Sequence, residues 1–167
     1  ALAYILAKRQ VPITGSDLRS THITDRLRAV GAHIFSSQDG KNLDYFLSSN
    51  SQFASQSSLP QVICSTAIHP DNSEYQAALA RGCPIFHRSD VLAGLVAEYD
   101  SIAVAGTHGK TTTSSLLGYV LLQAGVDPTV VVGGEVSAWE GNARVGQGRY
   151  LVAEAEIGRA SCRERVY

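Results

Sequence analysis

No stretch of the 167 residues stays apolar for the ~18 positions that a membrane-crossing helix requires, so no spanning segment is expected. Basic charge is not in excess. Fourteen Lys and Arg stand against fifteen Asp and Glu, a formal charge of −1, so nothing points to nucleic acid. There is no acidic tail of the kind that solvates a disordered segment. The three cysteines, Cys64, Cys83 and Cys162, form no CxxC pair, and their odd number and spacing fit neither a disulfide framework nor a zinc site. They read as small buried or idle thiols of a reducing cytosol. No basic stretch followed by an apolar region and a cleavage site stands at the start, so no signal peptide is expected. A cap is missing too: Ala1 to Arg9 reads as a helix already under way, and the true beginning is expected upstream.

Hydrophobic residues make up 44%, enough for a core, and the length suits one domain or one domain plus part of a second. Fifteen glycines and a single Trp suit many short turns and close backbone approaches.

Along the chain, extended and helical patterns alternate. Val11 to Thr14 predicts a strand ending at Gly15-Ser16-Asp17. Ser20 to Val30 predicts a helix with Ile23, Leu27 and Val30 on one face, stopped by Gly31. Ala32 to Phe35 predicts a second strand. Ser48 to Ser58, rich in Ser, Gln and Asn, reads as a loop. Gln61 to Thr66 predicts a buried strand, Asp71 to Ala80 a helix ended at Gly82, and Pro84 to Phe86 a short strand. Ser89 then caps a helix running to about Glu98. A boundary is expected near Tyr99 to Ser101. Beyond it, Ile102 to Ala105 predicts a strand, and Thr112 to Ala124 a helix with Leu116, Leu117, Val120 and Leu121 as its buried stripe. Pro128 to Val132 predicts a strand closed by Gly133-Gly134. Arg149 to Ala153 predicts another, with Glu154 at its end. This alternation implies an α/β fold with parallel sheets covered by helices. The expected organisation is a Rossmann-like domain over residues 1–99, followed by the beginning of a P-loop α/β ATP-binding domain over 100–155.

The chemistry concentrates at Gly106-Thr107-His108-Gly109-Lys110-Thr111-Thr112. A strand that ends in a glycine turn and opens a helix is an anion site, because backbone N–H groups and the helix dipole both face the ligand. Gly106 and Gly109 allow the tight turn. Lys110 can reach the β- and γ-phosphates of ATP, and Thr111 can offer its hydroxyl to Mg²⁺. The full GxxxxGK[ST] spacing is not met, since Val104 stands where its first glycine would be. The shorter GxxGK[ST]T form fits, which argues against a P-loop switch or transport ATPase. An ordinary strand-to-helix turn does not explain an ammonium at a helix N-terminus, where the dipole disfavours cations. His108 alone is weak evidence, since a loop histidine is usually just solvated.

Gly106-Thr107-His108-Gly109-Lys110-Thr111-Thr112-Thr113 resembles the ATP-binding loop of the Mur ligases, the bacterial enzymes that build the peptide of peptidoglycan. His108 is similar to the branch that adds L-alanine to UDP-N-acetylmuramate rather than to the branches adding later residues. A sister ligase that attaches a recycled tripeptide to the same nucleotide sugar is the rival. Thr14-Gly15-Ser16-Asp17 resembles the family's SGSD turn, and Ser65 to Asn72 its SSAI-x-x-DN segment. Gly141 to Arg144 and Gly148 to Ala155 resemble the stretch leading into its AEADES motif. The resemblance spans residues 1–155, with three departures. The family's first strand and GxGG-type loop, expected before Ala1, are absent. The loop at 48–58 is longer than the family's. Residues 156–167 replace the family's Asp-Glu-Ser and resemble a translated vector junction, with a natural divergent tail as the alternative.

The resemblance implies a cytoplasmic, ATP- and Mg²⁺-dependent ligase, of which this chain would be the front part, inactive alone; a nucleotide-binding fragment without activity is the alternative. The lactyl carboxylate of UDP-N-acetylmuramate takes the γ-phosphoryl group of ATP, and the amine of L-alanine then displaces phosphate from the acyl phosphate. Lys110, Thr111 and Glu154 would act at the phosphates, with Thr111 and Glu154 as the metal ligands. A strand-end surface glutamate is the plain alternative for Glu154. Residues 1–99 would bind the UDP-sugar. Asp17 could accept hydrogen bonds from ribose or uracil, or simply bond its own turn. Ser65 and Thr66 could face the ligand, or cap the segment that follows.

Overall fold

The computed structural model describes residues 1–49 and 59–155, without the side chains of 46–49. The rest of the serine-rich loop and the tail from 156 lie outside the described residues. The chain divides into two compact units, Arg9–Val91 and a second that joins Ala1–Lys8 to the residues from Leu92 onward.

The unit over Arg9–Val91 holds two two-stranded parallel sheets, β1 (Thr14–Ser16) with β2 (His33–Phe35) and β3 (Val62–Cys64) with β4 (Ile85–His87). β1 begins at Thr14, later than the expected Val11, because Pro12 has no N–H to give a ladder. Thr21 caps α2 (His22–Ala29) in a reciprocal capping box with Thr24, which puts Thr24 on the buried face. α3 (Asn42–Ser49) was not expected; it absorbs Ser48 and Ser49 from the predicted loop. α4 (Ser73–Ala80) starts at Asn72, whose side chain accepts from the N–H groups of Glu74 and Tyr75. β3 is not the buried strand expected, since Ile63 is 41% exposed. Ser89 is not a cap, because α5 (Arg88–Ala97) begins before it. The Asp90 carboxylate instead accepts the His87 N–H at 3.0 Å.

The second unit is built on a four-stranded sheet in the order β5–β8–β6–β7. Its strands are β5 (Asp100–Val104), β6 (Thr129–Val136), β7 (Gly141–Arg144) and β8 (Tyr150–Glu154). β8 lies between β5 and β6, parallel to both, and its unbroken apolar run Leu151-Val152-Ala153 is buried, as an inner parallel strand requires. β7 departs from the all-parallel expectation by running antiparallel to β6. One core cluster unites Leu151, Ala153, Val131, Ala143 and Leu95 with Ile5 of α1 (Leu2–Lys8).

α6 (Lys110–Gln123) covers the sheet by a face that keeps only Leu117 and Leu121 of the four residues expected. Leu116 and Val120 are 62% and 53% exposed, while Ser114 and Gly118 are buried and Leu117 and Leu121 pack against Val130, Val152 and Trp139. Close approach decides this. A Cβ on Gly118 would stand 2.8 Å from Val130, so the helix sets a small residue against the strand, keeps Leu117 and Leu121 inward, and turns Leu116 and Val120 away.

Candidate functional site

The site begins where β5 stops. Val104 is the last paired residue, the chain turns through Ala105 to Gly109, and α6 opens at Lys110. Gly109 occupies the N-cap position at φ 75°, a left-handed conformation that favours glycine. It has no side chain to offer, so the first-turn N–H groups of α6 receive no side-chain cap. An uncapped helix start, with its partial positive charge, faces outward for an anion. Thr107, His108 and Thr112 are exposed around it. Lys110 folds back over the turn, and its Nζ donates to the Gly106 carbonyl at 2.7 Å. That carbonyl is a weak partner for an ammonium and leaves the remaining donors free to turn to phosphate.

Thr111 and Glu154 meet on the inner side of the loop. The Thr111 hydroxyl lies 2.8 Å from Glu154 Oε1 and 3.1 Å from Oε2. Glu154 is 8% exposed, so a carboxylate has been carried out of water to the end of the strand adjacent to β5. A third partner was not foreseen from sequence: the main-chain N–H of Gly133 donates to Oε2 at 2.5 Å. The expectation that Gly133-Gly134 closes β6 is corrected here, since both glycines lie within the strand. Oxygen donors alone, one of them a carboxylate, suit a hard cation. Among the described residues no three His, Cys, Asp or Glu gather into a cage.

The residues expected to hold the nucleotide sugar are in the other unit. Asp17 is exposed just after β1, and its Oδ1 accepts the Arg19 N–H at 2.9 Å, an Asx turn. The Ser65 hydroxyl accepts the Ala67 N–H at 3.3 Å, again a local turn, and Thr66 is exposed beside it. The polar centre of this unit is one the sequence did not reveal. Glu74 receives the Ser16 hydroxyl at 2.5 Å and the Asn42 amide at 2.6 Å, tying the end of β1 to the starts of α3 and α4. No periodicity could announce a contact between residues 58 apart.

The family model described as "Mur ligase family, catalytic domain" matches residues 1–100. The chain belongs to the Mur ligase family. The matched stretch stops before the loop at Gly106, so the loop geometry and the family match are separate lines of evidence. Relatives extend the likeness across the loop. The chain is 70% identical, over 156 residues, to a UDP-N-acetylmuramate–L-alanine ligase of Microcystis aeruginosa, and the match covers 93% of this chain and 32% of that protein. It is 65% identical to the ligase of the same name from Nostoc punctiforme, covering 93% and 34%. The chain therefore spans about a third of the length of the curated relatives it matches. Among solved structures, it resembles UDP-N-acetylmuramate-alanine ligase from Thermotoga maritima with a TM-score of 0.77 at 26% identity, over 92% of this chain and 34% of that one. It also resembles the UDP-N-acetylmuramate:L-alanyl-gamma-D-glutamyl-meso-diaminopimelate ligase of Neisseria meningitides, with a TM-score of 0.78 at 25% identity, over 93% and 48%. Both neighbours are Mur ligases, so the mixed α/β architecture with parallel sheets is that of the family. No described helix is long and apolar enough to cross a membrane.

Proposed function

We propose that this chain carries the ATP-gripping loop of a cytoplasmic ligase that joins L-alanine to UDP-N-acetylmuramate. The observation that carries the reading is the pairing of Thr111 with buried Glu154 beside an uncapped helix start bearing Lys110. Alanine is favoured over the tripeptide because the relatives at 70% and 65% identity are named as alanine ligases. The two structural likenesses, at TM-scores of 0.77 and 0.78, do not separate the substrates.

The chemistry needs activation, since a carboxylate is a poor electrophile. The lactyl carboxylate oxygen attacks the γ-phosphorus of ATP and ADP departs, leaving an acyl phosphate. The alanine amine then attacks the acyl carbon, loses a proton, and expels phosphate. The protein's part in the first step is positioning and charge neutralisation. The N–H groups at the start of α6 cradle phosphate oxygens, and Gly106 and Gly109 let the backbone come close. Thr107, His108 and Thr112 line the cradle. Lys110 leaves the Gly106 carbonyl to meet the β- and γ-phosphates. Thr111 and Glu154 would hold magnesium, which when bound neutralises charge on the phosphates. In the other unit, Asp17, Ser65 and Thr66 stand at the carboxyl ends of parallel strands, where α/β sites assemble, and would receive the nucleotide sugar.

The test is transfer of radiolabelled L-alanine to UDP-N-acetylmuramate by the full-length enzyme, with the tripeptide as a parallel acceptor assay. ATP-dependent alanine transfer is expected. Transfer of the tripeptide alone contradicts the alanine assignment, and the absence of both activities contradicts the ligase reading.

A further inference from the structure

The irregularity in β6 has a chemical use. Up to Val131 the strand is paired on both sides, with Ala153 of β8 and Ala143 of β7. Its next pairing with β7 is Val136 to Gly141, so β6 makes an excursion between Val131 and Val136 while β7 advances only from Ala143 to Gly141. Gly133 and Gly134 lie in that excursion. Released from the ladder, the Gly133 N–H points instead at Glu154 Oε2.

Space, not backbone conformation, is what these glycines provide, since neither adopts a left-handed φ. A Cβ on Gly133 would stand 3.1 Å from Glu154 Oε2 and 3.5 Å from its Cδ. A Cβ on Gly134 would stand 3.1 Å from the Thr111 methyl. Each glycine thus faces one member of the Thr111–Glu154 pair, and a side chain on either one pushes its neighbour by a few tenths of an ångström.

We propose that Gly133 and Gly134 are positioning residues of the phosphate site. Gly133 holds one carboxylate oxygen with its main-chain N–H, so that Oε1 stays available beside the Thr111 hydroxyl. The bare Cα of Gly134 leaves Thr111 room to turn that hydroxyl toward a ligand. The inference rests on the reading of the loop as a magnesium–ATP site. It matters because magnesium tolerates little deviation from octahedral geometry at about 2.0–2.1 Å, so small displacements of its ligands are costly.

The experiment compares ATP affinity in Mg²⁺ with ATP affinity in excess EDTA, using the full-length enzyme that contains this chain. The variants are Gly133→Ala, Gly134→Ala and a control, Gly94→Ala, whose Cβ would meet nothing within 4 Å. The original enzyme and the control are expected to share the gain in affinity that Mg²⁺ confers. Gly133→Ala and Gly134→Ala are expected to lose about tenfold of that gain, as partners that orient metal ligands commonly do, with EDTA affinities unchanged. Should Gly133→Ala lose its far-UV circular dichroism, Gly134→Ala, whose Cβ meets chiefly a methyl group, decides the matter. Full retention of the Mg²⁺-dependent gain overturns the inference while leaving the ATP site standing. An equal loss with and without Mg²⁺ overturns it as well, since it signals general damage to the unit. Absence of any Mg²⁺-dependent gain in the original enzyme overturns the underlying site reading.

Discussion

Thr111→Val preserves side-chain shape and deletes one hydroxyl, and its cost can be worked from the structure. Glu154 is 8% exposed and has two donors, the Thr111 hydroxyl and the Gly133 N–H. Removing a hydrogen bond to a charged acceptor costs about 1.5–3 kcal/mol, and little water reaches this carboxylate to replace it. A loss of about 2 kcal/mol in a chain of this size corresponds to a fall in Tm of roughly 4–8 °C. Scanning calorimetry without ligand measures it. The same substitution on a Glu154→Gln background should cost less, because an amide is neutral and can keep the Gly133 N–H as its partner. The coupling between the two sites should be about 1–2 kcal/mol, within the range found for residues in direct contact. Strictly additive costs, or an unshifted Tm for Thr111→Val, would refute the claim that this hydroxyl holds the buried carboxylate.

Glu154→Gln should leave the fold intact, since the amide oxygen can accept from Gly133 while its NH₂ donates to Thr111; in the full-length enzyme it should raise the Mg²⁺ requirement strongly, and an unchanged Mg²⁺ titration contradicts its ligand role. Gly146→Ala would put a Cβ into the Asp127 carbonyl oxygen and 2.5 Å from that of Pro128. The collision is with backbone, so a loss of about 3 kcal/mol or more is expected in denaturant titration. The carboxyl of Asp127 is held below its ordinary value of 3.8, first by the Gln147 N–H and then by the Arg144 guanidinium. A lowered folded-state pKa adds stability that is present above about pH 4 and is lost as pH falls through the lowered value. The advantage of the original chain over Asp127→Asn in urea titrations should therefore shrink steadily on acidification from about pH 4, and a constant difference contradicts it.

The strand, glycine turn and helix of the proposed phosphate loop were legible because the chemistry read there needs particular residues in order, and the local chain alone sets them. Glu154 was legible by its place at a strand end. Gly133 was not. Two glycines after an apolar run read as a strand terminus, and only the pairing of β6 with both neighbours exposes the excursion that frees its N–H. The buried face of α6 was only half legible, with Leu117 and Leu121 packed inward and Leu116 and Val120 exposed, for a related reason. Periodicity marks the bulky stripe, whereas the buried face centres on Ser114 and Gly118 with Leu117 and Leu121 beside them, and the close approach to Val130 is a fact of tertiary packing. α3 escaped notice although Leu43, Phe46 and Leu47 stand at helical spacing, because the Ser-, Gln- and Asn-rich run that begins at Ser48 drew the segment toward a loop. The Ser16–Glu74–Asn42 link joins three segments distant in sequence, and nothing local to any of them requires the others.

The central claim is that the turn from Gly106 to Thr112 grips the phosphates of ATP, and Lys110→Ala tests it most directly. Calorimetric titration with ATP and Mg²⁺ should show binding by the original chain and a loss of at least about tenfold in the variant, since a charge-assisted phosphate contact is worth roughly 1.5–3 kcal/mol. In the full-length enzyme the same substitution should abolish ATP turnover. Equal affinity in the two chains, or near-normal turnover, would contradict the account.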